Sequence, residues 1–222
     1  MQNIKVKFCG FTNLRDAQDA INLGVDYLGF IIEVSQSKRN ISIENFLEII
    51  KNLKNFQQTK IVAVLVNLEK EKIDLLVDSG FVDIIQFHGG ESKEICAEYK
   101  ERGIEVWRVF NIDENLGLDE QVGKILKFKN SVDKILLDAT SVSEKEQGQV
   151  KRFLPDSLGL KVWQRLVRED CKLVLAGGLN IENIDFYLNE FRPEIVDLIT
   201  GVEERPGKKS LTKMRAFMEM IK

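Results

Sequence analysis

Two residues of this sequence, Cys9 and Asp138, have side chains that can transfer protons, and each directly follows a short apolar run. A cysteine thiolate is a usable base or nucleophile when its pKa is lowered or a partner lies near. A carboxyl group at the end of an apolar run costs free energy unless it is paired, hydrogen-bonded or protonated, and this suits it to act as an acid. We therefore predict Cys9 as the base and Asp138 as the acid of a proton-transfer reaction. The alternatives are a small buried cysteine and a capping aspartate.

A phosphate-binding site is predicted from two glycine-containing segments. Gly177 and Gly178 follow another apolar run and precede a predicted helix start at Asn180. Free backbone amides at a helix N-terminus bind phosphate well. Thr200 and Gly201, which follow the last apolar run, would complete the site. A simple tight turn is the alternative interpretation of the two adjacent glycines.

Four further polar residues stand near the ends of apolar runs and are candidates for substrate binding. A guanidinium can hold a carboxylate through two parallel hydrogen bonds, which suits Arg39 to a carboxylate-bearing substrate. His88, the single histidine of the chain, is suited to proton transfer or to hydrogen bonding with substrate. Gln86 and Asp197 lie close to the ends of their runs and are expected in the same pocket. A solvated surface arginine and a structural histidine are the alternatives.

Short apolar runs alternate along the chain with amphipathic segments. Each run is rich in Val, Ile, Leu or Phe, as expected for strands buried on both faces. The predicted strands are Ile4–Phe8, Tyr27–Ile32, Lys60–Val66, Asp83–Phe87, Glu105–Phe110, Lys134–Leu137, Lys172–Leu175 and Ile195–Ile199. Helical spacing marks the segments between them, beginning with a face formed by Leu14, Ala17, Ala20 and Ile21. The predicted helix N-caps are Asn13, Ser42, Ser92 and Asn180.

Strand-like runs alternating with helices predict an α/β fold, a closed (β/α)8 TIM barrel formed as a single domain by residues 1–222. An open doubly wound sheet is the competing architecture, but no G-x-G-x-x-G motif follows any run. Active sites of such barrels lie at the C-terminal ends of the strands. Strands one and six are expected across the barrel mouth, so that Cys9 and Asp138 face opposite sides of a bound ring. The charged stretch Ala139–Leu160 predicts a long loop with an insertion.

Composition excludes several classes of function. The net charge is −3 and no basic stripe is present, so nucleic acid is not an expected partner. Three cysteines without a C-x-x-C pair, together with one histidine, argue against a structural zinc site. No run is long enough to span a membrane, and Met1–Gly10 lacks the apolar segment of a signal peptide. We therefore expect a cytoplasmic protein.

The segments that carry these residues resemble motifs of the phosphoribosylanthranilate isomerase family. KVKFCGFTN at Lys5–Asn13 resembles the family's opening K-x-C-G-[IL]-T motif. The resemblance extends in order along almost the whole chain. Its further segments are Asp16-Ala17, Gly24–Asp26, Gly29-Phe30, Ser37–Arg39, Val64–Asn67, Gln86–Glu91, Leu136–Asp138, Leu175–Asn180, Arg192–Asp197 and Gly201–Lys209.

This resemblance implies an intramolecular aldose–ketose isomerase of tryptophan biosynthesis. The reaction would be the Amadori rearrangement of N-(5′-phosphoribosyl)anthranilate to 1-(o-carboxyphenylamino)-1-deoxyribulose 5-phosphate. No cofactor and no metal are implied, and we expect a monomer or a homodimer whose partner is this small-molecule substrate.

The resemblance also implies a role for each matched residue. Asp138 would protonate the ribose ring oxygen, and Cys9, as thiolate, would remove the proton from C2′ of the resulting Schiff base. Arg39 would hold the anthranilate carboxylate. The remaining implied roles are phosphate binding by backbone amides of Gly177, Gly178 and Gly201, and lining of the pocket by His88 and Asp197.

Several positions depart from the family pattern, Ser210 in place of Asp and the missing Phe-Asp before Trp163 among them, and two segments leave other functions open. The family has a glycine-rich G-G-[ST]-G-x-x-F-D-W loop after the acid, where Ala139–Gln149 reads ATSVSEKEQGQ. Ile199-Thr200-Gly201 stands in place of Ser-Ser-Gly, so Thr200 can donate a hydroxyl and Ile199 cannot. One alternative is a related isomerase or epimerase acting on another phosphosugar. The other is a barrel that binds a phosphosugar without catalysing a reaction.

Overall fold

Parallel strands form a closed barrel in the computed structural model, which describes residues 4–138 and 157–221. The barrel strands are β1 Lys5–Cys9, β2 Tyr27–Ile32, β3 Lys60–Leu65, β4 Ile84–Phe87, β5 Glu105–Asn111, β6 Lys134–Asp138, β7 Leu173–Ala176 and β8 Ile195–Leu198. Each strand pairs in parallel with the next, and β1 closes the ring by pairing with both β2 and β8. At this closure Lys7 lies opposite Tyr27 on one side and Asp197 on the other.

Helices pack around the outside of this barrel. They are α1 Leu14–Asn22, α2 Ile43–Asn52, α3 Lys70–Asp78, α4 Lys93–Glu101, α5 Leu118–Leu126, α6 Leu158–Arg168, α7 Ile184–Phe191 and α8 Leu211–Ile221. After β8, the chain forms a small antiparallel hairpin from Glu203–Arg205 and Lys208–Lys209. None of the helices within the described ranges combines the length and the apolar character needed to cross a bilayer.

Two separate apolar layers result from the alternation of side chains along each strand. Outward-facing residues such as Phe30 pack against helix residues such as Phe46, with ring centroids 5.3 Å apart. Inward-facing residues, among them Cys9 and Trp107, form a second cluster inside the barrel. Because burying one large apolar side chain contributes about 1.5–3 kcal/mol, the outer layer holds the helices to the barrel. The inner layer supports the residues at the barrel mouth.

Every predicted strand is confirmed, with ends that differ by no more than one residue. Three of the predicted N-caps are confirmed as well. The side chains of Asn13, Ser42 and Ser92 accept hydrogen bonds from the amides three residues further on. The alternation of apolar runs with capped amphipathic segments is therefore a sufficient signal for this architecture.

The predicted N-cap at Asn180 was wrong, because α7 begins at Ile184 with Asn183 as its N-cap. The side chain of Asn180 instead closes a turn one step earlier by accepting from the amide of Glu182 at 2.9 Å. Such a local side-chain bond offers the backbone an alternative to the helix. Leu14, predicted on the buried face, is 38% exposed at the very start of α1.

The predicted long loop Ala139–Leu160 lies largely outside the described residues. The prediction was wrong for the last part of this segment, because α6 already begins at Leu158. Ser157 provides the N-cap by accepting from the amide of Leu160 at 3.3 Å.

Candidate active site

The inward-facing residues at the carboxyl ends of the strands bring the predicted acid and base to one end of the barrel. Cys9, the last residue of β1, belongs to the inner cluster and is 1% exposed. Asp138, the last residue of β6, stands two positions beyond Leu136 of the same cluster, so its side chain also faces inward. Asp138 is half-buried.

Cys9 and Asp138 stand on well-separated walls of the barrel. Around the ring, β7 and β8 lie between the two strands on one side and β2 to β5 on the other, so β1 and β6 are three strand positions apart, one fewer than diametrically opposite strands. Asp197 on β8 lies between the two residues and interacts with both. Burial raises the pKa of Asp197, and the carboxylate of Asp138 adds to this rise.

A buried ammonium group lies inside the barrel next to Cys9. Lys7 is two residues before Cys9 on the inward face of β1, and its Nζ donates to Oδ2 of Asp197 at 2.7 Å. The two side chains are 0% and 5% exposed. Burial lowers the pKa of Lys7, but the charges of Asp197 and Cys9 outweigh burial, and the net pKa is raised. The ion pair with Asp197 thus favours the ammonium form of Lys7.

The thiol of Cys9 is confined by the neighbouring strand β2. A Cβ atom added to Gly29 would stand 2.6 Å from Sγ of Cys9, so only glycine leaves room for the sulfur. Burial raises the pKa of the Cys9 thiol, the ammoniums of Lys7 and Lys209 oppose this rise, and Asp197 adds to it. Base chemistry at Cys9 therefore depends on the cations around it.

Arg39, predicted to hold a substrate carboxylate, already holds a carboxylate of its own chain. Its Nε donates to Oε1 of Glu203 at 2.9 Å and its Nη2 donates to Oε2 at 2.6 Å. The stem of Arg39 crosses Gly10, where an added Cβ atom would stand 2.7 Å from Cδ. Nη1 makes no hydrogen bond to residues in the described ranges, so the outer edge of a guanidinium held in a fixed orientation is open to a second carboxylate.

Lys209 connects this ion pair to the end of β1. Its Nζ, on a side chain that is 0% exposed, donates to the carbonyl oxygen of Cys9 at 2.5 Å and to Oε1 of Glu203 at 3.1 Å. The hairpin that follows β8 is thereby fastened to the barrel mouth beside Cys9.

Two buried oxygen atoms at the mouth accept no hydrogen bond from any residue within the described ranges: Oε1 of Gln86 and Oδ1 of Asp197. Gln86 stands two positions beyond Ile84 of the inner cluster and therefore faces inward. A buried acceptor without a donor costs free energy. Such atoms are expected where a ligand supplies the missing donor.

His88 directly follows β4, and its amide donates to the carbonyl oxygen of Leu65 at 2.9 Å. Glu91 stabilises the loop after His88, because its carboxylate accepts from the amide of Gly89 at 2.8 Å. Glu91 also pairs with Arg108 at 3.0 Å, and these side chains are 3% and 8% exposed. His88 is thus carried by a braced loop at the same end of the barrel as Cys9.

The predicted phosphate-binding residues meet after β7 and β8. Gly177 and Gly178 have φ values of 106° and 65°, which favour glycine. A Cβ atom on Gly201 would stand 2.0 Å from the carbonyl oxygen of Leu179, so the two loops touch through backbone. Thr200 begins a short 3-10 helix on the same side. Within the described ranges, no three His, Cys, Asp or Glu side chains converge as metal ligands would.

Four residues of this region were not identified from sequence. Lys7 and Gly29 were only parts of longer motifs, although the two-residue spacing of Lys7 from Cys9 already places both on one face of a strand. Asn111 lies beside Asp138 in the barrel register, one residue past the predicted strand. Glu203 lies within the matched segment Gly201–Lys209, but its pairing with Arg39 spans 164 residues and has no local signal.

Comparison with known proteins places this geometry in a family. The family model of N-(5′-phosphoribosyl)anthranilate (PRA) isomerase matches residues 6–220. The N-(5′-phosphoribosyl)anthranilate isomerase of Aquifex aeolicus is 38% identical over 220 residues, which cover 99% of this chain and 98% of that protein. That of Petrotoga mobilis is 36% identical over 220 residues, 98% of this chain and 97% of that protein.

Solved structures agree with this result. The crystal structure of phosphoribosyl anthranilate isomerase from Thermotoga maritima has a TM-score of 0.79 at 30% identity and covers 97% of each chain. A phosphoribosyl anthranilate isomerase solved in complex with reduced 1-(o-carboxyphenylamino)-1-deoxyribulose 5-phosphate has a TM-score of 0.76 at 31% identity, again over 97% of each chain. The chain is therefore a member of the N-(5′-phosphoribosyl)anthranilate isomerase family, a family of TIM-barrel enzymes.

Proposed function

We propose that this protein converts N-(5′-phosphoribosyl)anthranilate to 1-(o-carboxyphenylamino)-1-deoxyribulose 5-phosphate, the isomerisation step of tryptophan biosynthesis. The observation that carries the proposal is the inward-facing thiol and carboxyl group, Cys9 and Asp138, at the mouth of a barrel of this family. An Amadori rearrangement needs one group that gives a proton to oxygen and one that takes a proton from carbon.

In the proposed mechanism Asp138 donates a proton to the furanose ring oxygen, and the ring C–O bond breaks as the anilino nitrogen forms a Schiff base with C1′. The thiolate of Cys9 then removes the proton from C2′, which gives an enolamine. Tautomerisation of the enolamine leaves the ketone at C2′ and returns a proton to C1′. No atoms are gained or lost, so no co-reactant is required.

Substrate binding follows from the remaining polar groups at the mouth. The outer edge of the Arg39 guanidinium receives the anthranilate carboxylate, with the inner edge held by Glu203. The unpartnered oxygens of Gln86 and Asp197 accept hydrogen bonds from sugar hydroxyls. His88 lines the same pocket from its braced loop.

The phosphate group binds at the opposite edge of the mouth, between the loops after β7 and β8. Backbone amides of Gly177, Gly178 and Gly201 donate to it, together with the hydroxyl of Thr200. Positive φ values at Gly177 and Gly178 and the close backbone approach at Gly201 allow the amides to point at one anion.

The setting of the enzyme is part of the proposal. We infer one barrel domain over residues 1–222 that acts in the cytoplasm. It is a monomer or a homodimer; one relative, from Thermotoga maritima, is described as a dimeric phosphoribosylanthranilate isomerase. Light scattering of the purified protein measures which of the two forms is present.

The direct test is loss of substrate fluorescence on addition of purified protein to N-(5′-phosphoribosyl)anthranilate generated in situ. Rescue of a tryptophan-requiring strain that lacks this step is the independent measurement. We expect turnover and rescue by the wild type, and turnover slower by about 100-fold or more by Cys9→Ala. Absence of both activities in the folded wild-type protein would overturn the proposal.

A second candidate is isomerisation or epimerisation of another phosphosugar. The charged segment Ala139–Gln149 and Ile199, in place of the family's glycine-rich loop and serine, favour it. A preferred ligand stabilises the fold by mass action, so a thermal-shift comparison of phosphosugars distinguishes the two. Stabilisation confined to anthranilate-bearing analogues would reject this candidate.

A further inference from the structure

Lys7 is a charged residue in the barrel interior to which the proposed mechanism assigns no role. Its side chain is 0% exposed, and its closest partner is the carboxylate of Asp197 at 2.7 Å. Lys7 and Cys9 are alternate residues of one strand, so both side chains stand on the same face, about 7 Å apart at their Cα atoms. The Lys7 ammonium and the Cys9 thiol therefore belong to the same buried layer inside the barrel.

Stability does not account for this ammonium group. Taking an ion pair out of water costs free energy that the pair recovers only when all its hydrogen bonds are made. Here Oδ1 of Asp197 has no donor among the described residues, so the pair is incompletely satisfied. Apolar side chains in place of both Lys7 and Asp197 would extend the inner cluster without that cost.

We propose that Lys7 is a positioning residue of this site: its ammonium, anchored by Asp197 on the same inward face as Cys9, stabilises the thiolate form of Cys9. The catalytic consequence of this inference rests on the proposed function. The effect on the thiol itself does not depend on it.

The other charged groups around Cys9 are less suited than Lys7 to stabilise its thiolate. Lys209 approaches from the hairpin, but its Nζ is engaged by the carbonyl oxygen of Cys9 and by the carboxylate of Glu203. The charge of Glu203 is in turn shared with Arg39. Asp197 disfavours the thiolate and Asp138 acts on Asp197. The Lys7 ammonium, by contrast, has one hydrogen-bond partner among the described residues, Asp197, and this leaves its remaining N–H groups available to the thiolate.

The test is direct titration of the thiol by nuclear magnetic resonance of protein with ¹³Cβ-labelled cysteine. The Cys9 resonance is assigned from Cys9→Ala, and Cys96 and Cys171 serve as internal controls. In Lys7→Met we expect the Cys9 midpoint to rise by about one pH unit or more, since an adjacent opposite charge shifts a pKa by about that amount. Lys7→Arg should keep the midpoint near that of the wild type, and the two control cysteines should not move.

A second pair of variants guards against misfolding of Lys7→Met, which leaves a carboxylate buried without its partner. Asp197→Asn and Lys7→Met/Asp197→Asn carry the same neutral amide and differ only in the ammonium. We expect the thiol midpoint to be higher in the double variant by about one pH unit. Equal midpoints in either comparison of folded proteins would overturn the inference.

Activity gives a separate readout. The acidic limb of the pH profile of kcat/KM should move upward in Lys7→Met together with the thiol midpoint. If wild-type protein shows no isomerase activity at any pH while the thiol midpoints differ as expected, the proposed function fails and the role of Lys7 stands. If isomerase activity is present and the midpoints coincide, the proposed function stands and the role of Lys7 fails.

Discussion

The two ends of the barrel interior both contain charged side chains, but they differ in how completely those charges are paired. At the amino-terminal end, Glu105 accepts from Nζ of Lys60 at 2.7 Å, from Nε1 of Trp107 at 2.8 Å and from Lys134. At the carboxyl-terminal end, one oxygen of Asp197 has no donor among the described residues. The carboxylate at the amino-terminal end is thus fully hydrogen-bonded, and the carboxylate at the carboxyl-terminal end is not.

This difference separates stability from function within one barrel. Burial raises the pKa of Glu105, but the surrounding lysines lower it to about 2 overall. The ionised carboxylate of Glu105 therefore stabilises the folded protein. Burial raises the pKa of both Asp197 and Cys9. A buried carboxylate oxygen without a donor and a buried thiol with a raised pKa are typical of a functional site, and here both lie at the carboxyl-terminal end of the barrel.

The largest effects are expected from changes at the mouth. Cys9→Ala and Asp138→Asn should each lower kcat about 100-fold or more, because proton-transfer groups contribute about that much. Cys171→Ala, just before β7 at the other end of the barrel, is the matched control and should keep near-normal turnover. Steady-state kinetics measure the effect, and near-normal turnover in either site variant would remove that residue from the mechanism.

Glu105→Gln, in contrast to the variants at the mouth, should lower the stability of the protein and leave kcat unchanged. We expect a loss of roughly 2–3 kcal/mol in the free energy of unfolding at pH 7, from the depressed pKa. Because the folded-state pKa lies below the unfolded one, this contribution is complete above pH 4.5 and disappears as the pH falls towards 2. Urea unfolding at several pH values measures it. Glu101→Gln, on an exposed side chain, is the control, and a stability of Glu105→Gln equal to that control would contradict the comparison.

Gly29→Ala tests how tightly the mouth confines its thiol. The added Cβ atom would stand 2.6 Å from Sγ of Cys9, so the sulfur must move, and we expect kcat to fall about 10-fold because small misplacements are costly in catalysis. Gly123→Ala places its Cβ atom in open space and should leave kcat unchanged. Equal kcat values for the two variants would show that the position of the sulfur is not critical.

The smallest effect is expected for Glu203→Gln. Loss of one charge from the partner of Arg39 weakens the fixed orientation of the guanidinium, and we expect KM to rise about fivefold, equivalent to about 1 kcal/mol. The rise should vanish for a substrate analogue without the carboxylate. Glu204→Gln, on the neighbouring exposed residue, controls for loss of charge. An equal rise for both substrates would assign Glu203 a purely structural role.

Most of the fold was predictable because its signals are local. Apolar runs with flanking polar segments mark the strands, and Asn13, Ser42 and Ser92 mark helix starts through bonds that span three residues. Asn180 shows where this reasoning ends, because the same side chain can close a turn instead of capping a helix.

The candidate site was predictable in its residue types and less so in its contacts. Cys9 and Asp138 were found from their positions at strand ends, and the structure brings both to the barrel mouth. The structure also gives Arg39 a carboxylate of its own chain, which no local pattern indicates. Their roles in proton transfer and binding stay predictions for the experiments above.

The amino-acid sequence by itself determined the alternation of strands and helices and the kinds of side chain at the strand ends, since burial periodicity is a property of neighbouring residues. Only the tertiary structure decided which charges meet. Lys7 and Asp197 are 190 residues apart in the chain, and they pair because closure of the barrel sets the last strand against the first.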